Sequence, residues 1–545
     1  MAGIEIFDTT IRDGGQGIGI NFSVEDALNI ARKLDQSGVS YIEGGWPGSN
    51  PTDVEFFQRA KKELRLVNAK LVAFGATRQK GIKVEDDESI KKILESGVSV
   101  AAIFGKNSAW QVKHTLKTSL QENLRMINDT VSYLASNSIE VIYDAEHFFN
   151  GYLENPEYAL KALETAYEAG AGCLVLCDTN GGMLYDNIEG IVTEVTQELA
   201  EKFGGNIKIG IHCHNDSGNA VANTQAAVLS GATHVQGTIN GIGERCGNAN
   251  LCTIIPNLIL KMKIGCFGIS KSKLKELKSL SDFVYGIANR EPDDSQPYVG
   301  DNAFTHKGGV HASGFMRNPG AYAHIDPSEV GNRQKIATSR LAGRSTVIYQ
   351  IQEMGLKATD EQVSQILKDV KSREARGYHY EVAEGSRELL FLKALGVYHP
   401  LFALEEYRTE GGSNGFVKKK KKLGKGKGSA ILIIQINGQR IVEDGKGDGQ
   451  VNALDIALRK ALKRAYPDFD HFELRDYKVS IVKNKELTGT ASVTRVLLEV
   501  FDRKKNKSFW TVGVSTDVIG ASWEALVDGY TRAMVPYILK HNGND

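Results

Sequence analysis

Short runs rich in β-branched and aromatic residues alternate with amphipathic stretches in the first half of the chain. Eight of these runs precede residue 246, and they cover residues 4–10, 39–47, 70–78, 99–105, 139–146, 173–182, 208–216 and 234–245. The intervals show helical periodicity, and the clearest amphipathic segments, at residues 24–38, 155–170 and 186–204, end at a glycine. A further helix over residues 250–262, interrupted by Pro256, completes eight strand–helix units.

Eight consecutive units within about 260 residues have the size of a (β/α)8 barrel. We therefore predict an α/β fold with a catalytic TIM barrel over residues 1–280. A doubly wound sheet is the alternative, but it rarely needs eight consecutive parallel units. A barrel carries its chemistry where strands end and βα loops begin, and the unusual polar residues of this chain lie at those points.

The pattern changes after the barrel. Residues 281–396 are loop-rich with one clear helix at 359–377, which predicts a helical connector. Residues 397–545 hold a weak internal repeat, so we expect an α+β domain of two pseudo-symmetric halves. The paired segments are 402–409 with 472–479, 429–438 with 492–500, and 445–458 with 513–526.

A lysine-rich tract at 417–428 lies inside the first copy of this repeat. Blocks of like charge repel one another, so we interpret the tract, including its core at 418–427, as a solvated loop. Nucleic-acid binding is the alternative.

Composition excludes several classes of protein. The 545 residues include 66 Lys+Arg and 66 Asp+Glu, so the formal net charge is zero and no global attraction to nucleic acid or membranes is expected. No apolar run is long enough to cross a membrane, and the start of the chain lacks the features of a secretion signal. Six cysteines, all between Cys173 and Cys266, do not form a disulfide framework, so we expect a reducing cytoplasm.

The seventh strand run contains His212 and His214, whose side chains share one face of a strand. Two neutral imidazoles suit a divalent metal, and Asp13 after the first strand can add a carboxylate. Three protein ligands leave open positions, as a catalytic ion requires, and the Asn248 carbonyl is a candidate fourth ligand. Two packed barrel histidines without a metal are the alternative.

Three further residues suit chemistry beside such an ion. Arg12 can stabilise an oxyanion, unless it pairs with Glu244 or Asp178. Glu146, at the end of the fifth strand, is the best general base, and support of Arg12 is its alternative role. Thr179 can hold a substrate carboxylate or serve only in a turn.

Five motifs give the chain a family resemblance. They are FDTTIRDGGQ (7–16), DTNGG (178–182), HCHND (212–216), GIGERCGNANL (241–251) and KGGVHASGF (307–315). They resemble the DRE-TIM metallolyase superfamily, which includes α-isopropylmalate, homocitrate and citramalate synthases. Residues 448–462 and 510–530 resemble the C-terminal regulatory (LeuA-dimer-like) domain of that group.

Within the group, residues 41–53, 310–315 and 330–347 resemble the citramalate synthase branch. The resemblance implies an acyltransferase that condenses acetyl-CoA with pyruvate and hydrolyses the thioester to give (R)-citramalate and CoA, in isoleucine biosynthesis. The alternatives are α-isopropylmalate synthase or another 2-keto-acid condensing synthase. A metal-dependent lyase or aldolase is a more distant alternative, because simple lyases of the superfamily lack the connector and tail.

The resemblance also implies roles for individual residues. A divalent cation (Mg²⁺, Mn²⁺ or Zn²⁺) would be held by Asp13, His212, His214 and Asn248. The catalytic residues would be Arg12, Glu146 and His311, the last reaching the active site of a neighbouring subunit. Thr179 would contact the keto acid, and Phe104, at the end of the fourth strand, is our candidate for the apolar wall that limits substrate size.

Regulation is implied in the same way. A homodimer or larger homo-oligomer with an isoleucine site in the tail is expected. Candidate effector-binding residues are Gly447, Asp448, Gly449 and Asn452, whose alternative role is in a turn and helix cap. Two departures from the family pattern are Gly15, where many relatives have an acid, and Asp144, where another citramalate synthase branch has a tyrosine.

Overall fold

A computed structural model describes residues 3–205, 207–307, 309–337, 343–398, 400–412, 427–482 and 492–541. The chain forms two compact units. The first comprises Met1–Phe304 and His324–Gln334, and the second comprises Thr305–Ala323 and Lys335–Asp545. The three domains predicted from the sequence, with boundaries after residues 280 and 396, stay a prediction.

The first unit contains the predicted barrel. Eight parallel strands close in chain order, and β1 pairs with both β2 and β8. Their bounds are β1 Glu5–Asp8, β2 Tyr41–Gly45, β3 Lys70–Ala76, β4 Val100–Lys106, β5 Glu140–Glu146, β6 Cys173–Asp178, β7 Ile209–Cys213 and β8 His234–Gly237. The (β/α)8 prediction is confirmed, and the C-terminal strand ends meet at one mouth.

Helices surround the strands. They are α1 Val24–Ser37, α2 Pro51–Glu63, α3 Glu88–Ser96, α4 Ala109–His114, α5 Leu120–Ser136, α6 Phe148–Glu154, α7 Pro156–Glu168, α8 Tyr185–Phe203, α9 Ala220–Leu229 and α10 Leu251–Pro256, followed by α11 Lys271–Leu274 and α12 Leu277–Ile287. Local sequence explains their ends. Ser23 and Asp26 form a capping box at the start of α1, and left-handed Gly38 ends it.

Pro256 changes the eighth helix. A proline lacks the backbone N–H that an α-helix needs. The chain therefore continues beyond α10 as a π-helical turn, Asn257–Met262, which together with α10 spans the predicted helix.

The barrel interior is filled by side chains. Phe7, Tyr41, Val72, Phe74, Val100, Ala102, Ile142, Cys173, Val175 and Cys177 form one buried cluster, against which Trp46 and Phe104 pack. The barrel is thus a packed core rather than a channel, and reactive groups can gather only at its mouth.

The second unit begins with short elements. They are β9 Thr305–His306, α13 Gly309–Arg317, β10 Lys335–Ile336, α14 Arg344–Glu353, α15 Asp360–Ala375 and α16 Glu384–Ala394. The predicted helix at 359–377 corresponds to α15, which starts with a capping box between Thr359 and Gln362. Val512, from the tail, packs in the same buried cluster as Val347 and Phe391.

The tail consists of two three-stranded antiparallel sheets, each followed by a helix. The elements are β11 Ala403–Gly412, β12 Lys427–Ile436, β13 Gln439–Gly447 and α17 Gln450–Ala465, then β14 Phe472–Ile481, β15 Thr494–Asp502, β16 Lys507–Ser515 and α18 Val518–His541. Gly445 in β13 and Gly513 in β16 have the same role. A Cβ at either position would overlap a helix carbonyl, that of Ala453 or Ala521.

Most of the lysine tract falls in residues 413–426, outside the described residues. In the part of the chain that is described, none of the helices has the length and apolar character needed to cross a membrane.

Candidate active site

Asp13, His212 and His214 converge at the barrel mouth. Asp13 follows β1, His212 lies in β7 and His214 just after it. The Nε2 atoms of the two histidines are 3.3 Å apart, and they lie 3.7 and 3.9 Å from Oδ2 of Asp13. All three side chains are buried. The structure therefore brings the predicted ligand atoms to one point, all within 4.8 Å of one another.

The charges at this point suit a cation. Burial lowers the pKa of His212 to about 3 and also lowers the pKa of His214, so both imidazoles are neutral at neutral pH. Burial alone would raise the pKa of Asp13, but the charge of Arg12, helped by a hydrogen bond from Asn248, lowers it to about 2. Two imidazoles and one carboxylate fit a divalent metal with open coordination positions.

Asn248, the fourth predicted ligand, lies beside Asp13. Its backbone pairs with that of His214 in an isolated bridge, and its Nδ2 donates to Oδ1 of Asp13 at 2.9 Å. Among the described residues, its buried Oδ1 has no hydrogen-bond partner. A buried carbonyl oxygen without a partner is costly, and a bound cation would remove that cost. The residues present therefore fit a metal.

Arg12 is held on three sides. Its Nε donates to Oε2 of Glu43 at 2.7 Å and its Nη1 to Oδ2 of Asp13 at 3.1 Å. Its guanidinium lies 3.8 Å above the centre of the Phe74 ring. Burial opposes its charge, but Glu43 and Asp13 outweigh burial and raise the pKa of Arg12. Arg12 is thus a fixed cation next to the three converging side chains.

The residues considered as alternative partners of Arg12 are engaged elsewhere. Glu244 forms an ion pair with Arg245, and Asp178 accepts backbone N–H groups of Gly182 and Met183. The predicted alternative of an Arg12 pair with either acid is therefore wrong, because Glu43 in β2 occupies that place.

Glu146 ends β5, and its carboxylate forms an ion pair with Lys106 at the end of β4. The two residues are directly opposite each other in the register of the parallel strands. Both side chains are mostly buried, with exposed fractions of 22% and 14%. The candidate base therefore has a cationic neighbour that the sequence analysis did not identify.

Thr179 is held by the loops on either side of it. Its Oγ1 accepts the N–H of His147 at 2.8 Å, and its carbonyl accepts Nη2 of Arg245 at 2.9 Å. His147 and Arg245 have φ values of 56° and 54°, in the left-handed region that is uncommon for residues other than glycine. Since the hydroxyl oxygen of Thr179 accepts from the backbone, its own O–H is left to donate elsewhere.

Phe104 belongs to an aromatic wall together with Phe74 and Trp46. The rings of Phe104 and Phe74 stack at 5.3 Å, and Trp46 meets them edge-on at 5.5 and 5.7 Å. Since Arg12 lies over Phe74, this wall borders the same space as the guanidinium. The sequence analysis identified Phe104 but not the other two rings.

Family models match the chain in three consecutive parts. Residues 3–284 match the HMGL-like model, residues 298–377 the homocitrate synthase post-HMGL domain-like model, and residues 381–534 the LeuA allosteric (dimerisation) domain model. An (R)-citramalate synthase from Sulfolobus acidocaldarius is 46% identical over 96% of each chain. One from a Synechocystis strain is 47% identical over 96% of this chain and 95% of its own.

The chain belongs to the (R)-citramalate synthase family. A 2-isopropylmalate synthase from Sulfolobus acidocaldarius is also similar, with 34% identity over 68% of this chain and 90% of its own. The (R)-citramalate synthase from that organism therefore matches more closely and over a longer segment.

His311 lies outside the barrel unit, in α13. Its side chain is exposed, and its ring centre is 4.9 Å from that of Tyr322 and 6.5 Å from that of His306. Its catalytic role stays a prediction.

The four predicted effector residues lie together where β13 leads into α17. Oδ1 of Asn452 accepts the N–H of Asp448 at 3.1 Å, and a Cβ on Gly447 would overlap that oxygen. Gly449 is the residue before α17 and has an extended backbone. The group forms a turn at the start of a helix, and its binding of an effector stays a prediction.

Proposed function

We propose that this chain condenses acetyl-CoA with pyruvate and hydrolyses the thioester, giving (R)-citramalate and CoA, as a step in isoleucine biosynthesis. The observation that carries this proposal is the convergence of Asp13, His212 and His214 beside the fixed guanidinium of Arg12. Matches to (R)-citramalate synthases over nearly the whole chain support the choice of substrates.

Asp13, His212 and His214, with Asn248 as a fourth ligand, would hold a divalent cation. Mg²⁺, Mn²⁺ and Zn²⁺ all accept such ligands. When bound, the ion would polarise the keto group of pyruvate as a Lewis acid. Thr179 donates its hydroxyl hydrogen to the substrate carboxylate, and the wall of Phe104, Phe74 and Trp46 limits the keto-acid side chain.

Glu146 takes a proton from the methyl group of the acetyl thioester, and Lys106 holds its carboxylate in place. The enolate carbon attacks the keto carbon of pyruvate and forms the new C–C bond, while the C=O π electrons move to the oxygen. The resulting alkoxide then gains the proton that Glu146 removed, which restores the carboxylate. Arg12 stabilises the developing alkoxide through Nη2, because its Nε and Nη1 already donate to Glu43 and Asp13. Water then hydrolyses the thioester and releases CoA. From its motif alone, we assign His311 to the relay of the methyl proton that Glu146 removes.

Acetyl-CoA needs access to the space beside Arg12 and the proposed metal ligands. A cavity of about 360 Å³ lies beside Arg12, between the loops that follow β1 and β2. Gln16, Trp46 and Asn50 are among its lining residues. We assign this cavity to the acyl end of acetyl-CoA, because it opens next to both the guanidinium and the aromatic wall.

Product identification tests the function. The full-length protein is incubated with acetyl-CoA and pyruvate, CoA release is followed with a thiol reagent, and the product is resolved by chiral chromatography with mass detection. We expect (R)-citramalate, and no turnover with EDTA or with the His212→Ala/His214→Ala variant. A higher kcat/KM for 2-oxoisovalerate than for pyruvate would instead identify a 2-isopropylmalate synthase.

We propose further that the chain forms a homodimer and that its tail binds isoleucine as an inhibitor, supported by the match to the LeuA allosteric (dimerisation) domain. Since Val512 packs with Phe391, deleting the tail would expose a core, so point variants are the better test. Asp448→Ala and Asn452→Ala should weaken inhibition, and Asp369→Ala in α15 should not. Inhibition unchanged in both tail variants would exclude this position for the isoleucine site.

We also propose that the protein works in the cytoplasm, a reducing compartment, and its six free cysteines support this.

A further inference from the structure

His212 has two ring nitrogens in different surroundings. Its Nε2 faces His214 and Asp13, where the cation is proposed to bind. Its Nδ1 lies 3.0 Å from Oε1 of Gln236. His212 and Gln236 are directly opposite each other in the β7–β8 register, so the barrel itself brings these two side chains together.

The amide of Gln236 is oriented by Asp144. Nε2 of Gln236 donates to Oδ1 of Asp144 in β5 at 3.0 Å. Oδ1 of Asp144 accepts this hydrogen whether the carboxyl group is ionised or carries its proton on Oδ2, so the NH₂ end of the amide faces Asp144 and the carbonyl end faces His212. An amide carbonyl also only accepts, which requires the hydrogen of the neutral His212 ring to be on Nδ1. All three side chains are buried, so water does not compete for these bonds.

We propose that Gln236, held by Asp144, is a positioning residue that fixes His212 in the tautomer whose Nε2 lone pair faces the metal site. This inference rests on the proposed function, because it assumes that His212 is a ligand. Such a partner to a ligating histidine fixes the ring orientation and increases its basicity, and loss of the partner weakens metal binding by about 10–100-fold.

His214 lacks this arrangement. Among the described residues, its buried Nδ1 has no hydrogen-bond partner. The tautomer of His214 is therefore not fixed by a series of side-chain hydrogen bonds like the one that fixes His212. Gln236 acts on one ligand of the pair, and changes to it should affect metal binding through His212 alone.

The experiment compares metal affinity with stability in the full-length protein after metal removal. Mn²⁺ is titrated and its free concentration read by electron paramagnetic resonance, and urea unfolding is measured in parallel. Gln236→Leu should bind Mn²⁺ about 10–100-fold more weakly than wild type. The matched control is Gln296→Leu, which removes another buried glutamine, one bonded to Tyr285 and Asn240, and should leave the affinity unchanged.

A rescue variant separates tautomer control from simple packing. In Gln236→Glu/Asp144→Asn the total charge is kept. The new amide at position 144 can donate to the new carboxylate at position 236, and that carboxylate can accept from Nδ1 of His212. This variant should recover most of the Mn²⁺ affinity that Gln236→Leu loses. Gln236→Asn keeps an amide but is one methylene too short to bridge, so it should also bind Mn²⁺ about 10–100-fold more weakly than wild type. It keeps the test available if the leucine variant does not fold.

The outcomes are distinguishable. Wild-type affinity in the folded leucine or asparagine variant would overturn the inference, as would a double variant no better than Gln236→Leu. If wild type itself binds Mn²⁺ no better than His212→Ala/His214→Ala, the proposed metal site fails, and the inference fails with it. Weak binding by both single variants with recovery in the double variant supports the inference.

Discussion

Glu43 in β2 accepts the Nε–H of Arg12 at 2.7 Å, inside a barrel mouth where the Glu43 side chain is fully buried. Thr9 donates to the same carboxylate oxygen. Burial raises the pKa of Glu43, and the charge of Arg12 opposes that shift. The pair therefore fixes the guanidinium over Phe74 and next to Asp13, in the position that the proposed reaction needs.

Replacing Glu43 with glutamine should damage both stability and turnover. Removing one partner of a buried ion pair costs about 3–5 kcal/mol when the remaining charge has no other partner. Asp13 still pairs with Arg12 in this variant, so the cost should lie at or below the lower end of that range. We expect a lower free energy of unfolding in urea and a fall in kcat, because Arg12 loses its anchor. The matched control is Glu63→Gln, which breaks an exposed pair with Arg59 and should change neither quantity measurably. Wild-type kcat in Glu43→Gln would show that Arg12 needs no anchor.

Strand periodicity and barrel closure explain how much of this site could be predicted from the sequence. His212 and His214 share a strand face, and the barrel brings the C-terminal end of β1, with Asp13, close to them. Glu43, Gln236 and Lys106 were missed for a physical reason. Their partners are set by strand register and side-chain reach between neighbouring strands, as in the His212–Gln236 and Lys106–Glu146 pairs, and a single sequence does not contain that register.

The ends of several helices could be predicted because the residues that fix them lie in the local sequence. Helix α15 starts at a capping box within its own sequence, and α1 ends at Gly38. The π-helical turn after Pro256 was not predicted, because its shape depends on how the chain re-forms hydrogen bonds around the missing N–H.

Stability of the metal-free protein should fall between pH 7 and pH 5, partly through His212. Its pKa is lowered by burial to about 3, against an unfolded value of about 6.5. Between these values the unfolded chain binds a proton that the folded chain does not, so stability is lost as the pH falls. In His212→Asn the urea midpoint should fall less over this range. His114→Asn, at an exposed position, should follow wild type, and an equal fall in all three proteins would contradict the prediction.

Asp144 should affect the pH dependence of stability in the opposite direction to His212. Burial raises its pKa to about 7, above the ordinary value of 3.8. Between these values the folded chain binds the extra proton, so this contribution to stability is lost as the pH rises from 4 to 7. Asp144→Asn cannot ionise, so its stability relative to metal-free wild type should increase from pH 5 to pH 7, by up to about 1.4 kcal/mol per pH unit between the two pKa values, and then level off. A constant difference in urea midpoint would show that burial does not suppress ionisation of Asp144.

Phe104→Ala should shift substrate preference toward larger keto acids. The Phe104 ring stacks on Phe74, so its removal opens space beside the guanidinium of Arg12. One methylene in an apolar pocket is worth about 1–3 kcal/mol, so the ratio of kcat/KM for 2-oxobutyrate to that for pyruvate should rise about tenfold. Phe203→Ala, on the outer helices against Tyr167, is the control. An unchanged ratio would remove Phe104 from the substrate wall.

Thr179→Val should raise KM for pyruvate more than it lowers kcat, since the hydroxyl is proposed to bind the substrate carboxylate in the ground state and the transition state alike. Valine keeps the shape but removes both the hydroxyl donor and the acceptor of the His147 N–H. Loss of one such hydrogen bond costs about 1–3 kcal/mol, which corresponds to at least a fivefold rise in KM. Thr179→Ser keeps the hydroxyl and should stay near wild type. If valine and serine give the same KM, the hydroxyl only orders the turn, and the pyruvate carboxylate is bound elsewhere.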